Sequence, residues 1–181
     1  MKKILSIICF LFIFGQGKAN ASLLVDPYIG YAINQQEQDT QFGTQEFTQT
    51  GTMMGARVGW QTLGLMLGAE VGYAPSLTQE LTLAKLGGAE GTENDFSGTY
   101  LGAFVGYDFP ILLRAWATYF FDVTYSPESG NDITASGTSF GVGFSGLPFV
   151  SLNAEYRLLS YDQDLDDSQE LFFSVSLPLT L

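Results

Sequence analysis

Seven charged residues stand at positions where their chemistry could matter: Arg57, Arg114 and Arg157 against Glu70, Asp108, Asp122 and Glu155. Guanidinium and carboxylate groups in near balance are the chemistry of ion pairing. Pairing matters most where water is scarce, because an unpaired buried charge is costly. A second candidate is the run Asp162-Gln163-Asp164-Leu165-Asp166-Asp167, whose alternating carboxylates look like the start of a calcium loop. An EF-hand needs Gly at its sixth position and Glu at its twelfth. Counted from Asp162 these are Asp167 and Phe173. The run is therefore read as a solvated acidic loop, able at most to share divalent cations loosely with lipid phosphates, and no specific metal site is expected.

Catalytic chemistry has little to work with. The chain has no His, and its one cysteine is Cys9. Ser–His–Asp and Cys–His arrangements are excluded, as are zinc sites made of Cys and His. General acid–base work near neutral pH uses His most often. Neither an enzyme nor a bound cofactor is expected.

The elements that position the seven charges follow from patterning. Met1–Ala21 reads as a secretory signal peptide: Lys2 and Lys3 form a basic start, Ile4 to Phe14 an apolar run, and Ala19-Asn20-Ala21 a small-residue cleavage site before Ser22. The run is shorter than the ~20 residues that span a bilayer as helix. Cys9 lies inside it, away from the cleavage site, which argues against a lipoprotein anchor. The expected division is a cleaved leader, 1–21, and one domain, 22–181, of 181 − 21 = 160 residues. The domain keeps all 19 acidic residues of the chain and four of its seven basic ones, for a net charge of 4 − 19 = −15. Such a charge leaves no footprint for nucleic acid.

Beyond the leader, apolar residues recur at period two in about eight segments, the pattern of strands. They lie near Leu24–Gln35, Thr50–Gln61, Leu63–Ala74, Phe96–Phe109, Leu112–Ser126, Ala135–Ser145, Phe149–Tyr161 and Glu170–Leu181. Each is close to the ~9–11 residues of a tilted membrane strand. Connections alternate in length. Short ones fall at Thr62, Pro110-Ile111 and Gly146-Leu147-Pro148; long ones at 36–49, 75–95, 127–134 and 162–169. In the second long loop, Leu77, Leu81, Leu83 and Leu86 are read as strand extension packed on neighbouring loops. Short turns on one rim and long loops on the other describe an outer-membrane barrel.

One face of each segment is Leu, Val, Ala, Phe and Tyr; the other is Gly, Ser and Thr with the seven charges. A soluble barrel would point the first face inward, a membrane barrel outward. The scarcity of charge on the second face favours the crowded lumen of a narrow barrel. Arg57, Glu70, Asp108, Arg114, Asp122, Glu155 and Arg157 are then expected to pair within that lumen. They would plug it, or less favourably line a gated ion path. Trp60, Tyr107, Phe109 and Phe149 at the short-turn rim, with Tyr73 and Tyr125 at the long-loop rim, are expected at the two interfaces.

Tyr28-Ile29-Gly30-Tyr31, Gly55-Ala56-Arg57-Val58-Gly59-Trp60, the segment from Tyr100 to Tyr107 and Leu152-Asn153-Ala154-Glu155-Tyr156-Arg157 carry a resemblance. With them the chain resembles the small eight-stranded outer-membrane barrels of Gram-negative bacteria, the OmpA-like and OmpX-like group, over Leu24 to Leu181. The resemblance implies an all-β, antiparallel, up-and-down transmembrane barrel in the cell outer membrane. It also implies partners: outer-membrane lipid and lipopolysaccharide, and the barrel assembly machinery during biogenesis. A monomer is expected. Two features depart from the group: Leu181 stands where an aromatic residue is usual, and Pro178 removes a ladder donor within the last strand. The expected function is a non-enzymatic barrel with a side-chain-filled lumen, serving envelope integrity or surface contact. The alternatives are a narrow pore or transporter of small or apolar solutes, and a soluble periplasmic lipocalin-like ligand-binding barrel.

Overall fold

Alternating side chains favour a pleated strand with two unlike faces, and closing such strands into a ring satisfies every edge. The computed structural model describes residues 21–40, 43–83, 94–127, 131–162 and 168–181, with side chains described outside 35–47 and 79–95. Its strands are β1 (Ser22–Thr40), β2 (Gly43–Thr62), β3 (Leu65–Leu83), β4 (Asn94–Phe109), β5 (Leu113–Pro127), β6 (Ile133–Phe144), β7 (Ser151–Tyr161), β8 (Ser168–Ser176) and a two-residue β9 (Leu179–Thr180). Sequence neighbours from β1 to β8 pair antiparallel, and β1 also pairs with β8, so the eight long strands close into an up-and-down barrel.

The faces are those of a membrane barrel. Outward positions include Leu67, Val71, Val105, Tyr119, Phe140, Val142 and Phe173, all exposed, whereas Arg57, Arg157, Glu70 and Glu155 are fully buried inside. A soluble ligand-binding barrel requires the opposite placement.

Three differences from the sequence-based expectation have physical reasons. First, β1 and β2 stay paired out to Thr40 and Gly43, across a segment expected as a loop. That segment is mostly polar in sequence, so no apolar period marks it, and backbone ladder bonds need none. β3 runs to Leu83, the strand extension expected at Leu77, Leu81 and Leu83. Second, β3 and β5 carry bulges. On the long-loop side, Pro75 and Ser76 both face outward, as do Phe121 and Asp122, and the register to the partner strands slips there. An extra residue reverses which parity points inward. Leu77, Val123 and Tyr125 are therefore buried. Third, the last strand breaks at Leu177-Pro178. The Leu177 amide donates to the Pro27 carbonyl and that of Leu181 to the Leu23 carbonyl, so odd residues bond β1. The Pro178 nitrogen thus faces the β7 side, beyond the end of that ladder at Ser151, and its missing N–H forfeits no ladder bond. The leader cleavage residues Ala19 and Asn20 lie outside the described residues; Ala21 and Ser22 open the described chain, with Ser22 the first residue of β1.

Candidate functional site

The lumen is stacked in layers along the barrel axis. Nearest the short-turn rim, Leu24, Met66 and Phe104 form a small apolar cluster. On the neighbouring wall, the Asn153 amide donates to Ser176 Oγ at 3.0 Å and Ser151 Oγ donates to the Phe144 carbonyl at 3.2 Å. Toward the long loops, Tyr28, Met53, Leu77, Tyr100, Phe120, Val123, Tyr125, Leu159 and Phe172 pack as one buried cluster. Edge-to-face contacts join Tyr28 to Phe172 and Tyr100 to both Phe120 and Tyr125.

Between these layers lies a charge network that register builds directly. Asp26 on β1 is the cross-strand partner of Arg57 on β2, and Arg57 is the partner of Glu70 on β3. Residues opposite one another on one face of a sheet bring their side chains together. Arg57 Nη1 donates to Asp26 Oδ2 at 3.1 Å, and its Nε lies 3.5 Å from Glu70 Oε2. Its Nη2 donates to Glu155 across the lumen, and Arg114 donates to the same Asp26 oxygen. On the far wall, Arg157 and Glu170 are again cross-strand partners. Arg157 Nη1 donates to Glu170 Oε1 at 3.0 Å, and Nη2 lies 3.3 Å from Glu155 Oε2. Glu155 thus joins the two arginine centres into one network.

Other side chains complete it. Glu70 accepts from Tyr28 Oη at 3.0 Å and Thr118 Oγ1 at 2.7 Å. The Arg57 guanidinium lies 4.1 Å from the Trp116 ring centre and 4.9 Å from that of Tyr28; Arg157 lies 4.4 Å from Phe172. Cations over ring faces at these distances are attracted by the ring quadrupole, more so when desolvated. Two glycines make room. A Cβ at Gly141 would stand 2.2 Å from Trp116, and one at Gly55 would stand 2.5 Å from Tyr28 Oη.

Of the seven expected network residues, the structure brings together Arg57, Glu70, Arg114, Glu155 and Arg157. It does not bring in Asp122 or Asp108. Asp122 is corrected to the outer face: it sits in the β5 bulge, exposed, accepting from Thr124 at 3.2 Å. Asp108 is half-buried at the short-turn rim, where Gln61 Nε2 donates to it at 3.3 Å. The sequence reading missed Asp26 and Glu170. Their signal was parity, since each shares the inward face of its strand with Tyr28 or with Phe172. Of the interfacial aromatics, Trp60, Tyr73, Tyr107, Phe109 and Phe149 are exposed on the outer surface. Tyr125 is corrected to the lumen, its hydroxyl 3.1 Å from that of Tyr100, because the same bulge turns it inward. No cluster of three or more His, Cys, Asp or Glu able to hold a metal ion occurs among the described residues. In the acidic run, residues 163–167 lie outside them.

Three guanidinium groups meet four carboxylates here, held between apolar layers. That arrangement fills and locks a lumen. The fold and site together define a transmembrane β-barrel of eight strands with a packed interior. Among solved structures, Neisserial surface protein A is similar over 87% of this chain and 98% of its own, at 16% identity and a TM-score of 0.52. Ail, the attachment invasion locus protein of Yersinia pestis, solved with the heparin analogue sucrose octasulfate, is similar over 87% and 99%, at 14% identity and a TM-score of 0.56. The shared feature is the fold, that of small outer-membrane barrels. No family model matches the sequence, and no curated protein matches it either.

Proposed function

We propose that this chain is a non-enzymatic barrel of the Gram-negative outer membrane, with a closed lumen and a role in envelope integrity or surface contact. The carrying observation is the reversal of faces: a paired charge network fully buried inside, and a predominantly apolar wall outside. Met1–Ala21 serves export in this reading. Outer-membrane lipid and lipopolysaccharide surround the wall, and the barrel assembly machinery inserts a monomer. The Ail structure pairs that barrel with a polyanion. Here, 19 acidic residues against seven basic ones disfavour such a ligand, so surface contact suits a neutral or cationic partner. The closed lumen follows from size, since eight strands leave just enough room for side chains. Fractionation should place the protein in outer membranes with heat-modifiable gel migration, and planar bilayers should show no steady conductance. A soluble periplasmic protein would overturn the barrel reading; steady conductance with solute flux would overturn the closed lumen and favour a pore.

A further inference from the structure

Turns that meet water are built from Gly, Asn, Asp, Ser and Pro. The short-turn rim of this barrel is built otherwise. The β2–β3 turn is Leu63-Gly64, the β4–β5 turn is Pro110-Ile111-Leu112, and the β6–β7 connection runs Ser145-Gly146-Leu147-Pro148-Phe149-Val150. None carries a charge. Their large apolar side chains stand open: Phe149 is 87% exposed, Ile111 69% and Leu63 59%.

The backbone makes this choice costlier. Leu63, Leu112 and Phe149 have φ of 50°, 63° and 66°. This is the left-handed region that Gly or Asn enters most readily, and the usual two-residue hairpin of this type is Asn-Gly or Asp-Gly. Each short connection on the rim thus holds a bulky apolar residue where local chemistry favours a small or polar one. Among the described residues, no protein surface fully covers these side chains. The lipid-facing wall, however, is continuous with them: Leu65, Leu113, Phe144 and Leu152 are the next exposed outward positions.

We infer that the short-turn rim is a lipid-binding surface, with Leu63, Ile111, Leu112, Leu147 and Phe149 lodged in the acyl–headgroup boundary of the nearer phospholipid leaflet. The inference rests on the membrane-barrel reading. It makes the turns membrane anchors rather than water-exposed connectors, and it seats the barrel deep on this side while the paired β1–β2 and β3 extensions stand clear on the other.

Cys9 is the only native cysteine, so site-directed nitroxides test this in the full chain carrying Cys9→Ser. Single Phe149→Cys and Leu63→Cys variants are labelled beside Phe140→Cys on the wall and Asn131→Cys at the long-loop rim. All are reconstituted in phosphatidylethanolamine/phosphatidylglycerol vesicles. Each is checked for heat-modifiable migration, and Leu112→Cys replaces any rim variant that does not fold. Labels at 149 and 63 should collide with oxygen in preference to a water-soluble nickel chelate, as at 140 and several-fold unlike 131. Nickel accessibility at 149 and 63 equal to that at 131, with 140 still lipid-like, would overturn the inference alone and leave the rim free for a periplasmic protein. Nickel accessibility at 140 as well would overturn the membrane barrel with it.

Discussion

Replacing Arg57 by Met tests whether the lumen network holds the barrel together. The substitution keeps much of the side-chain volume and removes the charge. In the structure Arg57 contacts Asp26, Glu70 and Glu155, all fully buried. The network holds three guanidinium groups and four carboxylates; after the change it holds two and four. Removing one partner of a buried ion pair typically costs about 3–5 kcal/mol, because the remaining charge stays desolvated. Loss of the contacts with Trp116 and Tyr28 adds to this, by about 0.5–2 kcal/mol. We expect the unfolding free energy to fall by at least about 3 kcal/mol, a large part of the ~5–15 kcal/mol of an ordinary domain. The assay is urea unfolding in lipid vesicles, followed by heat-modifiable migration and by tryptophan fluorescence, since Trp116 lies against Arg57. The double variant Arg57→Met/Glu155→Gln should recover about 1–3 kcal/mol relative to the sum of the singles, the coupling expected of residues in one network. A loss below about 1 kcal/mol for Arg57→Met, or strict additivity in the double variant, would refute the reasoning.

Gly141→Ala should destabilise by about 1–3 kcal/mol, the usual cost of overpacking, and change Trp116 emission, because its Cβ would meet the indole ring; unchanged emission and stability would sink the idea. Glu70→Gln should cost about 1–3 kcal/mol in the same urea assay, since Glu70 accepts from Tyr28 and Thr118 and faces Arg57. Asp122→Asn should stay within about 0.5 kcal/mol, as an exposed residue on the outer face; equal losses for the two would return Asp122 to the lumen. Tyr125→Phe should cost about 1 kcal/mol through the lost hydroxyl contact with Tyr100, and no loss at all would argue that Tyr125 faces lipid.

How much of the site is legible in the chain depends on which turn fixes which register. Parity alone assigns Arg57, Glu70, Arg114, Glu155 and Arg157 to one face, but parity names no partners. A turn would, but the reading at Thr62 misplaces it: the chain turns at Leu63-Gly64, which pairs Thr62 with Leu65 and hence Arg57 with Glu70, whereas a turn at Thr62 would set Arg57 opposite Leu67. Asp26–Arg57 and Arg157–Glu170 are separated by segments that read in sequence as long loops, 36–49 and 162–169, so no short turn offers a place from which to count their pairing. The bulges were hidden for a related reason. Around Phe120-Phe121 both faces are apolar, and an extra residue there leaves no break in the alternation, which is why Asp122 and Tyr125 exchange sides. Register is still not the last word. The short β4–β5 turn places Asp108 opposite Arg114, yet Arg114 turns to Asp26 instead. Asp108 is half-buried at the rim, bonded by Gln61 and open to water. Asp26 has no access to solvent and gains far more from a second cation. Desolvation, which no linear pattern records, decides between two carboxylates that the sequence presents as equals.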